Sequence, residues 1–164
     1  MAKISSGITP VCVLVVDDHP SSASMLARVI AQLGPSVEVI AAEGGDQALE
    51  IMRGKCVDVL VTDLVMPGVT GLELIERMQR LPCNRPAYTI LMTAYDVPGL
   101  KEIARRLMVN EVVRKPIPPE SLCRIVADAI EICGYGPIVR TDAGSGQTGK
   151  AAPGGDPGPE SLIP

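Results

Sequence analysis

Val11-Cys12-Val13-Leu14-Val15-Val16-Asp17-Asp18 is a run of six apolar residues that stops on two adjacent carboxylates. The run is too short for a buried helix and rich in β-branched residues, so it reads as a strand covered on both faces. The same construction recurs along the chain. Val57–Thr62 runs into Asp63, Thr89–Met92 into Thr93, and Val112–Arg114 into Lys115-Pro116. In an open parallel sheet, ligands gather outside the carboxyl ends of the strands. Parallel pairing of these runs therefore brings three carboxylates, a hydroxyl and an ammonium to one edge. Such an edge suits a divalent cation and a phosphoryl group.

Between the strands lie amphipathic stretches. Met25, Leu26, Val29, Ile30 and Leu33 recur at helical spacing, and Gly34-Pro35 stops that helix. Val37–Ala41 is a second strand, and a helix carrying Ala48, Leu49 and Met52 ends at Gly54. After Asp63 a loop runs to Val69, and Thr70 and Glu73 have the spacing of a capping box. Leu74, Ile75, Met78 and Leu81 mark the buried face of the helix it opens. Ala87–Met92 is the fourth strand, and Leu100, Ile103, Ala104 and Leu107 mark the fourth helix. Glu111–Arg114 is a short fifth strand, and Pro118-Pro119 open a helix with Leu122, Ile125, Val126, Ala129 and Ile130 inward. Five alternating βα units imply an α/β fold, a doubly wound five-stranded parallel sheet with five helices.

Residues 1–10 read as a disordered lead-in, 11–133 as the folded domain, and 134–164 as a disordered Gly/Pro-rich tail or linker. With 46% hydrophobic residues, no Trp and no Phe, the core must be aliphatic, with the methionines mostly filling it. A net charge of −4 offers no basic stripe for nucleic acid. No apolar stretch approaches the roughly 18 residues of a membrane span, and the first ten residues lack a secretory layout. Cys12, Cys56, Cys83, Cys123 and Cys133 are scattered, with no C-x-x-C pair. They read as small buried hydrophobes in a reducing, cytoplasmic setting.

Taken in order, V-L-V-V-D-D, T-D-L-V-M-P-G-V-T-G, L-M-T-A and V-R-K-P resemble the receiver domain of bacterial response regulators, over about Val11 to Cys133. The resemblance implies a flavodoxin-like strand order 2-1-3-4-5 and a signalling switch of a two-component phosphorelay. It makes Asp63 the phosphoacceptor and Mg²⁺ the cofactor, held by Asp18, Asp63 and the backbone carbonyl of Val65, with Asp17 acting through a metal-bound water. Lys115 would place a point charge on the phosphoryl oxygens, Thr93 would hydrogen-bond the phosphoryl group, and the Lys115–Pro116 bond would be cis. The implied phosphodonor is a sensor histidine kinase or phosphotransfer protein. The implied output is a downstream protein effector or a self-dimer through the face of the fourth helix, fifth strand and fifth helix. Neither nucleic acid nor membrane is an expected partner. Such a chain catalyses its own phosphorylation and dephosphorylation and is otherwise no enzyme.

One position departs from the family pattern. Receivers carry an aromatic residue three positions before the lysine, and here that position is Val112. Valine is stiff at its first side-chain torsion and cannot swing a ring. Tyr95, two residues past Thr93, is the nearest aromatic and a candidate for the readout. Two other readings compete with the switch. A phosphorylation-independent interaction module would keep the fold and lose the chemistry. An Asp-nucleophile Mg²⁺ phosphatase commonly needs a second acid two residues after the nucleophile, where this chain has Val65. His19, the sole histidine, reads as a partly exposed loop residue. Gly144–Lys150 imitates a phosphate-binding loop, but Ala151 replaces the hydroxyl residue and no helix follows.

Overall fold

Both faces of the first apolar run are covered: all six residues of β1 (Val11–Val16) are buried. The computed structural model describes residues 9–81 and 85–135. Nine further elements follow, α1 (Pro20–Ala31), β2 (Val37–Ala42), α2 (Gly45–Gly54), β3 (Val59–Asp63), α3 (Gly71–Met78), β4 (Tyr88–Thr93), α4 (Leu100–Arg106), β5 (Glu111–Arg114) and α5 (Pro119–Ile132). The strands form one parallel sheet in the order β2-β1-β3-β4-β5. This is the doubly wound architecture expected from the alternation. The extreme tail, including Gly144–Lys150, and Cys83 lie outside the described residues.

Alternation along β1 divides the core in two. Cys12, Leu14 and Val16 pack with Leu49 and Met52 of α2 and Leu74, Ile75 and Met78 of α3. Val11, Val13 and Val15 pack with Leu26 and Ile30 of α1 and Leu122, Val126 and Ile130 of α5. Each fully buried Leu or Ile side chain contributes roughly 1.5–3 kcal/mol, so the aliphatic composition suffices for two layers. Among the described residues, no buried side-chain nitrogen or oxygen lacks a hydrogen-bond partner. No helix there is long and apolar enough to cross a membrane.

Several local expectations need correction. Met25 and Ile103, read as inward, are 53% and 39% exposed. In α1 the buried stripe is Ala23, Leu26 and Ile30, and the seven-residue α4 buries only Leu100 and Ala104. Met108 is exposed too, and Cys56 is an exposed loop thiol, not a core residue. β3 starts at Val59, two residues later than its apolar run. Asp58 instead uses a carboxylate oxygen to accept the Cys12 N–H at 2.8 Å. α3 ends at Met78, leaving Leu81 half-buried beyond it.

Candidate functional site

β1, β3 and β4 pair in register, with Val16 opposite Ala42 of β2 and Thr62 of β3, and Asp63 opposite Met92 of β4. The next residue of each strand therefore reaches the same edge. Asp17 follows Val16, its N–H bonded to the Ala42 carbonyl at 3.2 Å, and its side chain is 1% exposed. Asp63 closes β3, and Thr93 closes β4. Lys115 follows β5, where its N–H donates to the Thr93 carbonyl at 2.8 Å and its bond to Pro116 is cis.

One ammonium draws the edge together. Lys115 Nζ donates to Asp63 Oδ2 at 2.6 Å and to Asp17 Oδ2 at 3.0 Å. Burial disfavours the charged lysine, but the hydrogen bonds to Asp63 and Asp17 outweigh that effect and hold its pKa above the ordinary value. Lys115 reaches two of the three acidic side chains that line this edge, Asp17 and Asp63, and not Asp18. The donors are hard oxygens, the chemistry that Mg²⁺ requires, so the residues present fit a divalent cation. Asp17, Asp18 and His19 place one ligand atom each within 4.8 Å of one another.

Thr93 is buried and already engaged. Its hydroxyl donates to the Tyr95 carbonyl at 3.0 Å and accepts the Tyr95 N–H at 3.1 Å. The loop after Asp63 is held at both ends. Leu64 N–H donates to the Met92 carbonyl at 2.7 Å and Gly71 N–H to the Leu64 carbonyl at 2.9 Å. A Cβ at Gly71 would lie 2.2 Å from the Asp63 carbonyl oxygen, so only glycine permits this approach. The capping box at Thr70 and Glu73 is formed as its spacing implies. Met66 is buried beneath the loop, while Val65 is 53% exposed on top of it.

These elements enclose a depression of about 560 Å³, lined by Asp17, Asp18, His19, Asp63, Val65, Tyr95 and Lys115, with Ser22, Met66, Pro67 and Ala94 completing the wall. Ser22 belongs to no motif in the sequence; the only signal is its position in the first turn of a helix that starts directly after the acidic pair and His19. His19, which reads from sequence as a loop residue, also lines the wall, with Nδ1 3.3 Å from Asp18 Oδ1. Val112 is half-buried against the layer that contains α2 and α3.

The fold is an open parallel α/β sheet whose carboxyl edge gathers carboxylates, a threonine hydroxyl and a lysine. The response regulator receiver domain profile matches residues 13–127. A 14.6 kDa protein of Leptolyngbya boryana is 33% identical over 114 residues, covering 70% of this chain and 86% of its own. The cyclic di-GMP phosphodiesterase response regulator RpfG of Xanthomonas campestris is 35% identical over 112 residues, 67% of this chain but only 29% of that protein. The structure of Vibrio cholerae chemotaxis protein CheY4 superposes with a TM-score of 0.65 at 27% identity, covering 73% of this chain and 98% of that one. The chain belongs to the response regulator receiver family of two-component signalling.

Proposed function

We propose that residues 11–133 form a phosphorylation-controlled switch that accepts a phosphoryl group on Asp63 from a histidine kinase or phosphotransfer protein. A carboxylate oxygen of Asp63 attacks the phosphorus of a phosphohistidine. The new P–O bond forms as the P–N bond breaks, and the imidazole departs with that electron pair. A carboxylate is a weak nucleophile, so positioning and charge must carry the step. The observation that supports this most is the Lys115 ammonium, held against Asp63 and Asp17 beside a depression wide enough for a phosphoryl group. From there it can follow the phosphoryl oxygens as charge develops.

Asp18, Asp63 and the Val65 carbonyl would hold Mg²⁺, with Asp17 acting through a water. Bound there, the cation supplies the charge neutralisation that lets an anionic carboxylate meet an anionic phosphoryl group. Thr93 completes the switch. To reach a phosphoryl oxygen its hydroxyl must give up both bonds to the Tyr95 backbone, which frees the 94–97 loop to move. That is a local charge event biasing a bistable element. The output is an altered protein contact through α4, β5 and α5, with an effector or a second copy, in the cytoplasm. No separate substrate is turned over.

Incubation with Mg²⁺ and acetyl phosphate, followed by intact-mass measurement, tests the reading. The expected result is a gain of one phosphoryl group that Asp63→Ala abolishes. No gain, with a beryllofluoride complex also failing to form, would instead favour the phosphorylation-independent module. The replacement of the switch ring by Val112 gives that second reading its one specific support.

A further inference from the structure

We propose that His19 is a nitrogen donor to the divalent-cation site, giving this chain a preference for borderline transition ions over Mg²⁺. The inference rests on the reading above, that the acidic edge takes a divalent cation.

The carboxylate oxygens divide into two sets. Lys115 occupies Asp17 Oδ2 and Asp63 Oδ2. The other oxygen of Asp17 and Oδ1 of Asp18 turn towards His19, whose Nδ1 lies 3.5 Å and 3.3 Å from them. All three atoms fall within 4.8 Å of one another, and all three residues line the same depression as Asp63. The backbone sets this up. His19 is the N-cap of α1 with φ −96° and ψ 108°, and its N–H donates to Asp17 Oδ1 at 2.9 Å. The His19 side chain makes no capping hydrogen bond to the helix. The imidazole lies beside the two carboxylates, 76% exposed.

The donor set separates metals. Mg²⁺ prefers oxygen ligands in near-ideal octahedral geometry and keeps its waters, so an imidazole adds little to its binding. Mn²⁺, Co²⁺ and Zn²⁺ accept imidazole readily, in rising order towards Zn²⁺. A mixed nitrogen and oxygen site therefore tightens on the later ions while leaving Mg²⁺ almost unchanged.

His19 is the only histidine in the chain, which makes the test unambiguous. Pulsed electron paramagnetic resonance of Mn²⁺ bound to untagged, ¹⁵N-histidine-labelled protein should show one imidazole nitrogen coupled to the ion, absent in His19→Ala. Calorimetry should show Co²⁺ affinity falling at least about tenfold in His19→Ala while Mg²⁺ affinity changes by less than about twofold. Asp18→Asn should weaken both ions. If Asp18→Asn weakens both but no nitrogen coupling appears and His19→Ala is silent, the His19 assignment is wrong and the acidic site stands. If Asp18→Asn binds cations as the wild type does, the acidic site itself is misread and the inference falls with it.

Discussion

At the scale of single residues, the groups around Asp63 divide into those that bring charge and those that exclude water. Val65 and Tyr95 are 53% and 62% exposed, and both line the depression that holds Asp63. Val65 has no polar side-chain atom to orient a water towards Asp63, and the Tyr95 ring adds bulk at the mouth of the depression. An aspartyl phosphate formed there should hydrolyse slowly. The double variant Tyr95→Ala, Val65→Asn opens the mouth and adds an amide, and should shorten the phosphoryl lifetime by about tenfold, within the range that one positioned general-base or orienting contact commonly provides. Loss of phosphate from isolated phosphoprotein measures it, and an unchanged lifetime would sink the shielding account. These residues were legible from their offsets to Asp63 and Thr93. The Thr93–Tyr95 hydrogen bonds were not, because they depend on how the chain turns after β4, which no spacing encodes.

At the scale of elements, the helix that follows the Asp63 loop is where local chemistry sets the site. α3 begins at Gly71, pressed against the Asp63 carbonyl. Gly71→Ala must push that carbonyl, and with it Asp63, out of place. A cost of about 2–3 kcal/mol is expected from overpacking, read as a lower urea midpoint, together with loss of phosphorylation. Gly54→Ala is the control: nothing lies within 4 Å of a Cβ there, so the exchange should be neutral or stabilising by up to about 1 kcal/mol. Thr70→Ala removes one half of the capping box and should cost about 1 kcal/mol. The capping box was readable because it lies within four consecutive residues. The errors at Met25 and Ile103 have the opposite origin. Helical periodicity reports which direction a side chain points, but not whether a neighbouring element extends far enough to cover it.

Over the whole molecule, the sheet brings together charges that are distant in sequence, and stability and function then share one ion cluster. Asp17 and Lys115 are 98 residues apart, yet the buried Asp17 carboxylate relies on that ammonium. Lys115→Ala should destabilise the fold by about 3 kcal/mol, since it leaves a buried charge without its partner. The sign of the pH dependence follows from the raised pKa of Lys115. A group whose pKa is higher folded than unfolded stabilises the fold fully below its unfolded value, and that contribution is lost as pH rises through the folded value. The gap between wild type and Lys115→Ala should therefore be constant from neutrality to about pH 9 and close only in strongly alkaline solution. A divalent cation can replace the missing positive charge, so Mg²⁺ should raise the melting temperature of Lys115→Ala more than that of the wild type. Thermal melts across pH with and without Mg²⁺ check both statements. Equal Mg²⁺ responses would mean that the cation and the lysine do not act on the same carboxylates.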